Sequence, residues 1–472
     1  MFNPKVEGAK RREEGEKLVV MDPNLKLAGS RSFASPKQLH IADSSDMISN
    51  LPDAVLGCIL SLVPTKDAMR TSVLSKRWKG LWLSVSHYVF DEHSHGDRML
   101  FVNLLNRVIH RETYIDKLSI SCRDLHDPLL LHLFLCNVRE LNLSFSEFDG
   151  PFNFPSSACS LESLISFKLK LCYNVLNLPS NICFSSLKTL HLECITFPDK
   201  PSNQQLFSNC CMLEHLVLDK CRWTTDNNVI HAPKVRNLTI HDELIERFTI
   251  SKFVITIIGS EIQFLKYEGG LENEYILADQ PSLAVADIHV AEVPRLFDND
   301  RIVAFRAFLL LTKLKNARSL TITPDTAEVI TSYERECPIP WPDFNNLTKL
   351  EITESSMDLT CDLLLLLISR AHCLQSLAFS QGIFVPEDED WEWDHVPECF
   401  STHLRNIHIG DLCGYPYELS ILGFFLKHAM VLQKMVISFS VDMTESLEKQ
   451  GVIRAKLLAL PRGSISCVID FC

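Results

Sequence analysis

Glycine is scarce in this chain: 16 of 472 residues, about 3% against a usual 7%. That excludes collagen-like and glycine-rich disordered classes. It also argues against folds that need many tight glycine turns or a glycine-rich phosphate loop. A basic excess is missing too. Against 46 lysines and arginines stand 59 aspartates and glutamates, for a formal net charge of −13. A protein that grips nucleic acid regardless of sequence needs a dominant basic face, so no nucleic-acid partner is expected. Long apolar runs are absent. Stretches such as Leu363 to Ile368 fall far short of the roughly 18 residues that suggest a membrane span, so no membrane partner is expected either.

The charged opening, with Lys5, Lys10, Arg11, Arg12, Glu13 and Glu14, is not followed by the apolar core of a secretory signal. Cys-x-x-Cys is absent, although there are 17 cysteines. Their odd number, irregular spacing and placement in apolar runs (Cys58, Cys136, Cys172, Cys183, Cys194) read as reduced, small core residues. The expected location is the nucleus and/or cytoplasm.

Catalytic signatures are missing as well. Gly-x-x-x-x-Gly-Lys-Ser/Thr, Gly-x-Gly-x-x-Gly, His-Glu-x-x-His and Gly-x-Ser-x-Gly do not occur. The chain is expected not to be an enzyme, with no catalytic residue, cofactor or metal site assigned. Asp91-Glu92-His93-Ser94-His95 offers imidazoles and carboxylates of the kind metals take, but it is short and polar, and a solvated link between modules is the preferred reading.

What is present falls into segments. Residues 1–44 are polar and aperiodic and read as a disordered tail. From Asp46 the texture changes. Asn50-Leu51-Pro52-Asp53 starts a helix, and Val55, Leu56, Ile59, Leu60 and Val63 give it one wide apolar face. Pro64 stops it, and Thr65 is the expected cap of a second helix. Ser75 leads a third, with Trp78 and Trp82 four residues apart. Three short helices are too small to bury both faces alone, so this module is expected to complete its core against something else.

The next 350 or so residues repeat the phrase Leu-x-x-Leu-x-Leu, at roughly 22–30-residue intervals. Examples are Ile115/Leu118/Ile120, Val138/Leu141/Leu143, Leu187/Leu190/Leu192, Leu213/Leu216/Leu218, Leu347/Leu350/Ile352 and Leu432/Met435/Ile437. This is the signature of leucine-rich repeats: each repeat ends in a short strand with alternate residues turned inward, and hides its leucines by stacking on neighbours. The stretch about 241–345 fits poorly. Ile262/Leu265/Tyr267 and Leu283/Ala286/Ile288 are only approximate, so irregular repeats are expected there.

The segment Asp46 to Trp82 resembles the F-box of plant F-box/leucine-rich-repeat proteins. It carries Leu51-Pro52-Asp53, Pro64-Thr65-Lys66-Asp67-Ala68 and Leu74-Ser75-Lys76-Arg77-Trp78 in order. Met47 stands where family members usually carry arginine, and Leu62-Val63 where Phe-Leu is usual. The C-terminus resembles the FBD domain of the same family, through Trp393, Val396-Pro397-Glu398-Cys399-Phe400, His403-Leu404-Arg405 and Leu457 to Ser464.

The resemblance implies an α/β fold: an N-terminal three-helix F-box at 45–88, a curved leucine-rich-repeat solenoid at 110–380, and a C-terminal FBD domain at 390–472. It also implies a function, that of substrate-recognition adaptor of a Skp–cullin–F-box ubiquitin ligase. The F-box would dock on the Skp-family adaptor and cullin complex, and the repeats and FBD region would bind a protein substrate that the sequence does not identify. The expected adaptor-binding residues are Leu51, Pro52, Val55, Leu56, Ile59, Leu60, Val73, Leu74 and Trp78, some of them necessarily internal core. The alternatives are an F-box-containing small-molecule receptor and a repeat scaffold without ligase function. The acidic run Glu387 to Asp394, which holds Trp391 and Trp393, reads as a solvated loop whose tryptophans anchor the FBD region, with electrostatic capture of a basic partner as the alternative.

Overall fold

The computed structural model describes residues 47, 48, 50–111, 114–125, 127–147, 150–156, 161–180, 182–199, 201–242, 252–278, 281–291, 300–334, 340–386, 393, 395–444 and 446–472. The expected tail, 1–44, and the acidic run apart from Trp393 lie outside these residues. The chain divides into two units, Met1–Leu51 and Pro52–Cys472. In the first, the described residues form a turn in which the Leu51 N–H donates to Ile48 O at 3.1 Å.

Prolines set the helix starts of the second unit. Pro52 (φ −59°, ψ 149°) precedes α1 (Asp53–Leu60), and Pro64 (φ −54°, ψ 140°) precedes α2 (Thr65–Arg70). A proline's fixed φ suits this position, and its missing N–H leaves no bond unmade there. Thr65 is therefore the first residue of α2 rather than its cap. Its hydroxyl instead accepts the backbone N–H of Val89 at 2.8 Å.

The expected third α-helix is a 3-10 helix, Trp78–Ser84, following a 3-10 turn at Thr71–Val73. Gly80 in its middle lowers α-helical propensity. The three-residue period then brings Trp78 and Leu81 to one side, where both are buried with Trp82. The short helices do close their core elsewhere: α2 packs on the first strand. After α3 (Glu92–His95), the helix α4 (Arg98–Ile109) sets the Arg107 guanidinium 5.5 Å from the Trp82 ring centre.

A ladder of parallel strands follows, each hydrogen-bonded to the next. It opens with β1 (His87–Asp91), β2 (Ile115–Cys122), β3 (Val138–Phe145), β4 (Ser166–Asn177) and β5 (Thr189–Phe197). It continues through β6 (His215–Asp219), β7 (Asn237–His241), β8 (Phe264–Gly269), β9 (Val285–Val290) and β10 (Ser319–Ile322). It closes with β11 (Lys349–Ile352), β12 (Ser376–Phe379), β13 (Asn406–Leu412), β14 (Lys434–Phe439) and β15 (Val468–Phe471). With two short companion strands these make a 17-stranded sheet among the described residues. Strand alternation sends one set of side chains inward. Leu118, Leu141, Phe167 and Leu190 sit side by side in register, all nearly inaccessible.

The ladder runs on through the stretch expected to be irregular. Leu238 pairs with Leu265, Leu265 with Ala286, and Ala286 with Leu320. The approximate phrases there occupy ordinary rungs. What differs is the filling: Tyr267 and Ala286 stand where the phrase has leucine, and Thr326 of the helix Pro324–Glu334 reaches back to accept the Val290 N–H at 2.8 Å. Leu363, Leu364, Leu367 and Ile368 are buried on the helix Asp362–Arg370.

The scarcity of glycine leaves a mark on the backbone. Lys220 and Glu354, just past the ends of β6 and β11, and Cys194 and Asp411, within β5 and β13, adopt positive φ of 46° to 74°. A side-chain-bearing residue held there costs about 1–2 kcal/mol, and the packed ladder holds these bends open. Gly410 answers a different demand: a Cβ there would lie 2.0 Å from Ser380 O on the neighbouring repeat. Among the described residues, no helix is long and apolar enough to cross a membrane.

Candidate docking surfaces

Helix α1 sorts its apolar side chains by period. Leu56 and Leu60, four residues apart, point inward at 0% and 3% exposure. Val55 and Ile59, one residue earlier, lie on the next stripe and are 41% and 42% exposed. The link to α2 exposes Leu62 and Val63, and the 3-10 turn with the residue after it exposes Val73 and Leu74, at 87% and 64%. So many large aliphatic side chains left in water within some twenty residues mark a contact surface. The scaffold beneath is fixed: Trp78, Leu81 and Trp82 are buried, and Arg77 Nε donates to Asp53 Oδ1 at 2.7 Å.

At the other end Trp393 is buried. Its Nε1–H donates to Leu359 O at 3.3 Å, and its ring lies 5.9 Å from Phe400, 5.6 Å from Phe424 and 5.9 Å from Phe425. This is the anchoring role expected of the tryptophans; Trp391 lies outside the described residues.

Between the two ends, the outward-facing side chains of the ladder form rows of paired charges. Lys168 and Lys170 on β4 meet Glu193 on β5 at 2.7 and 2.6 Å. Lys349 meets Glu351 at 2.6 Å, and Lys434 meets Asp470 at 2.8 Å. Burial favours a neutral Glu193, but the two lysines prevail and hold its carboxyl below the ordinary value. His289 Nε2–H donates to Asp287 Oδ1 at 2.7 Å, and this bond, against burial, raises the imidazole pKa. His191 is different. Its Nε2 lies 3.9 Å from both Glu193 Oε2 and Asp219 Oδ2, is shielded from solvent, and has no hydrogen-bond partner. His191 and His241 together hold the Asp219 carboxyl well below the usual carboxylate range.

Two buried acids sit apart from these rows. Glu92 is 6% exposed. It accepts the Arg123 backbone N–H at 2.8 Å, Arg98 Nη1 at 2.9 Å and Arg123 Nη2 at 3.0 Å. Burial opposes its charge, but the Arg123 N–H and the two guanidiniums override that and bring the pKa down to about 2. The segment Asp91–His95 is thus not a solvated link. It is the end of β1 and the helix α3, with Glu92 as a buried junction that arginines already fill. Asp242 is the opposite case. Burial pushes its pKa up to about 6, although Tyr275 and Tyr267 stabilise the anion. Tyr275 Oη donates to Oδ1 at 2.8 Å and Tyr267 Oη to Oδ2 at 3.2 Å.

Family models match three stretches of the chain: the F-box domain at residues 48–90, the leucine-rich repeats of FBD-associated F-box protein At5g56370 at 127–255, and the FBD domain at 392–437. These are the domains, in the same order, of the plant F-box/FBD/leucine-rich-repeat proteins, which the chain resembles. It is similar along most of its length to curated relatives from Arabidopsis thaliana. FBD-associated F-box protein At5g22730 is 27% identical over 460 residues, covering 90% of this chain and 94% of the relative. F-box/FBD/LRR-repeat protein At3g26920 is 28% identical over 451 residues, covering 91% and 96%.

Within the F-box, the residues singled out from sequence fall into two groups. Pro52, Val55, Ile59, Val73 and Leu74 are exposed, while Leu56, Leu60 and Trp78 are interior. Leu51, in the first unit, is half-buried. The interior three are covered by the chain's own packing. Leu62, at 86% exposure, completes the exposed set, and its signal was its place between the two helical patterns. The trio His191, Glu193 and Asp219 went unread. Glu193 and Asp219 are rung partners, so aligning successive repeat phrases would have shown these two acids side by side with His191 two residues before.

Proposed function

We propose that this chain is the substrate-recognition adaptor of a Skp–cullin–F-box ubiquitin ligase. Its F-box docks on the Skp-family adaptor, and the repeat ladder with the FBD region holds a protein substrate. The chain itself turns nothing over: it positions one protein against an enzyme carried by others. The observation that carries this reading is the exposure of Val55, Ile59, Leu62, Val73 and Leu74 on a segment that matches the F-box. Apolar side chains projected from short helices over a closed core suit insertion into an apolar groove.

The test is co-purification of the full chain with a Skp-family adaptor and cullin. Val73→Glu with Leu74→Glu leaves the fold intact, because both side chains already sit in water, and removes adaptor binding. Leu56→Ala, by contrast, lowers stability by about 2–5 kcal/mol. A folded Val73→Glu/Leu74→Glu variant that retains the adaptor at wild-type yield would overturn the assignment.

A further inference from the structure

We propose that His191, Glu193 and Asp219 form a binding site for a divalent transition-metal ion of the zinc type on the outward face of the repeat ladder. The three ligand atoms, His191 Nε2 and one oxygen from each carboxylate, all lie within 4.8 Å of one another. The backbone sets them there. His191 and Glu193 are alternate residues of β5 and share its outward face. Glu193 and Asp219 are partners on one rung of β5 and β6.

What sets this cluster apart among the described residues is the convergence of three such ligand atoms. Three features fit a metal ion, the first two in part shared by the neighbouring His241. The first is spacing. His289 meets Asp287 at 2.7 Å, a direct hydrogen bond. His191 Nε2 stands 3.9 Å from each of two carboxylate oxygens, too far for a bond to either. Two ligands of one tetrahedral zinc ion, at 2.0–2.1 Å from the metal, lie about 3.4 Å apart. Rotamer adjustments that bring the imidazole about 0.5 Å closer to each carboxylate, and the two carboxylates up to about 1.4 Å closer to each other, close that gap.

The second feature is the imidazole nitrogen itself. His191 Nε2 is shielded from solvent and has no hydrogen-bond partner, and a buried polar atom left so costs stability. A metal ion supplies the missing partner.

The third is charge. Two carboxylates opposite each other on neighbouring strands repel. Lys168 and Lys170 offset Glu193 from the β4 side, whereas the ion-pair partners of Asp219 among the described residues are His191 and His241. One neutral imidazole with two carboxylates is a donor set that zinc and its neighbours accept. His241 Nδ1, 3.7 Å from Asp219 Oδ2, lies outside the trio and just beyond hydrogen-bond range, from which a small shift would give the supporting contact that metal-bound carboxylates usually have. Lys168, 2.7 Å from the same Glu193 oxygen, competes with the metal for it.

The test is equilibrium dialysis and calorimetric titration of the full chain with Zn²⁺, with the visible spectrum of Co²⁺ as a report on the donor atoms. One ion binds per chain, through nitrogen and oxygen, without the intense charge-transfer band of thiolate ligation. His191→Asn abolishes that binding. His241→Ala weakens it about tenfold, as loss of a supporting contact does. Lys168→Met tightens it, because the competing ammonium is gone. The sign of this last effect is one that adventitious binding to the chain's many thiols would not give. Zn²⁺ binding that is unchanged in folded His191→Asn, or a thiolate spectrum with Co²⁺, would overturn the proposal. Should His191→Asn fail to fold, Lys168→Met decides: an unchanged affinity overturns it.

Discussion

The hydroxyl of Thr65 accepts the backbone N–H of Val89 at 2.8 Å, so one side chain bonds the second F-box helix to the first strand of the repeat ladder. The F-box and the repeats therefore share a boundary that is packed and hydrogen-bonded. Thr65→Val keeps the shape and removes the acceptor. It should lower stability by about 1 kcal/mol, read as a reduced urea midpoint; an unchanged midpoint would show that water replaces the hydroxyl without loss.

Glu92 gives the same junction an acid sensitivity. Its folded pKa, about 2, lies below the ordinary 4.5. Its contribution is fully present above about pH 4.5 and drains away as the pH falls through about 2. At neutral pH Glu92→Gln should lower stability by about 2 kcal/mol, as loss of charged hydrogen bonds does. Melting temperatures of the wild type and the variant should differ clearly at neutral pH and converge toward pH 2. A gap that is constant over that range would contradict the assigned role.

Asp242 works in the opposite sense. Its folded pKa is raised from 3.8 to about 6, so its favourable contribution is complete below about pH 3.8 and lost as the pH rises through about 6. Asp242→Asn retains an oxygen for the Tyr275 hydroxyl and cannot ionise. Thermal melts should shift in favour of the variant between about pH 4 and pH 8, and a difference flat with pH would refute the burial argument.

Two glycines make a matched pair. In Gly410→Ala the new methyl would lie 2.0 Å from Ser380 O and 2.6 Å from Ser380 C. Backbone cannot yield cheaply, and the loss should be about 3 kcal/mol. In Gly423→Ala, inside the helix Pro416–His428, the methyl meets Leu460 methyls at 3.6 and 3.8 Å, an ordinary contact. Removing a helix-interior glycine should raise stability by about 0.5–1 kcal/mol. Denaturation midpoints that move in the same direction would disprove this reading of the two sites.

The leucine phrases placed Leu118, Leu141, Leu190 and Leu216 on the inward face because strand alternation is a local rule. The α1 pattern likewise held Leu56, Leu60, Val55 and Ile59 on one element. Three things escaped the sequence for physical reasons. The third F-box helix is 3-10 because tertiary packing of Trp78, Leu81 and Trp82 outweighs a local i, i+4 spacing. Ala286 and Tyr267 weaken the phrase although their rungs are regular, since neighbouring strands hold the register. Glu92, and the trio His191, Glu193 and Asp219, depend on which strand lies beside which and at what offset. That information sits in the connections between repeats and not in any one of them.

An unbroken ladder also measures length. Strands follow one another at about 4.8 Å, so β1, bonded to the F-box, and β15, at the FBD end, are roughly 65–70 Å apart along the sheet, whereas β5 and β6 lie within roughly 25 Å of β1. In the adaptor function proposed above, where along this ruler a captured protein sits would decide which of its lysines can reach the ubiquitin-charged enzyme. Inserting or removing one repeat would shift that reach by a fixed step without altering a single contact residue.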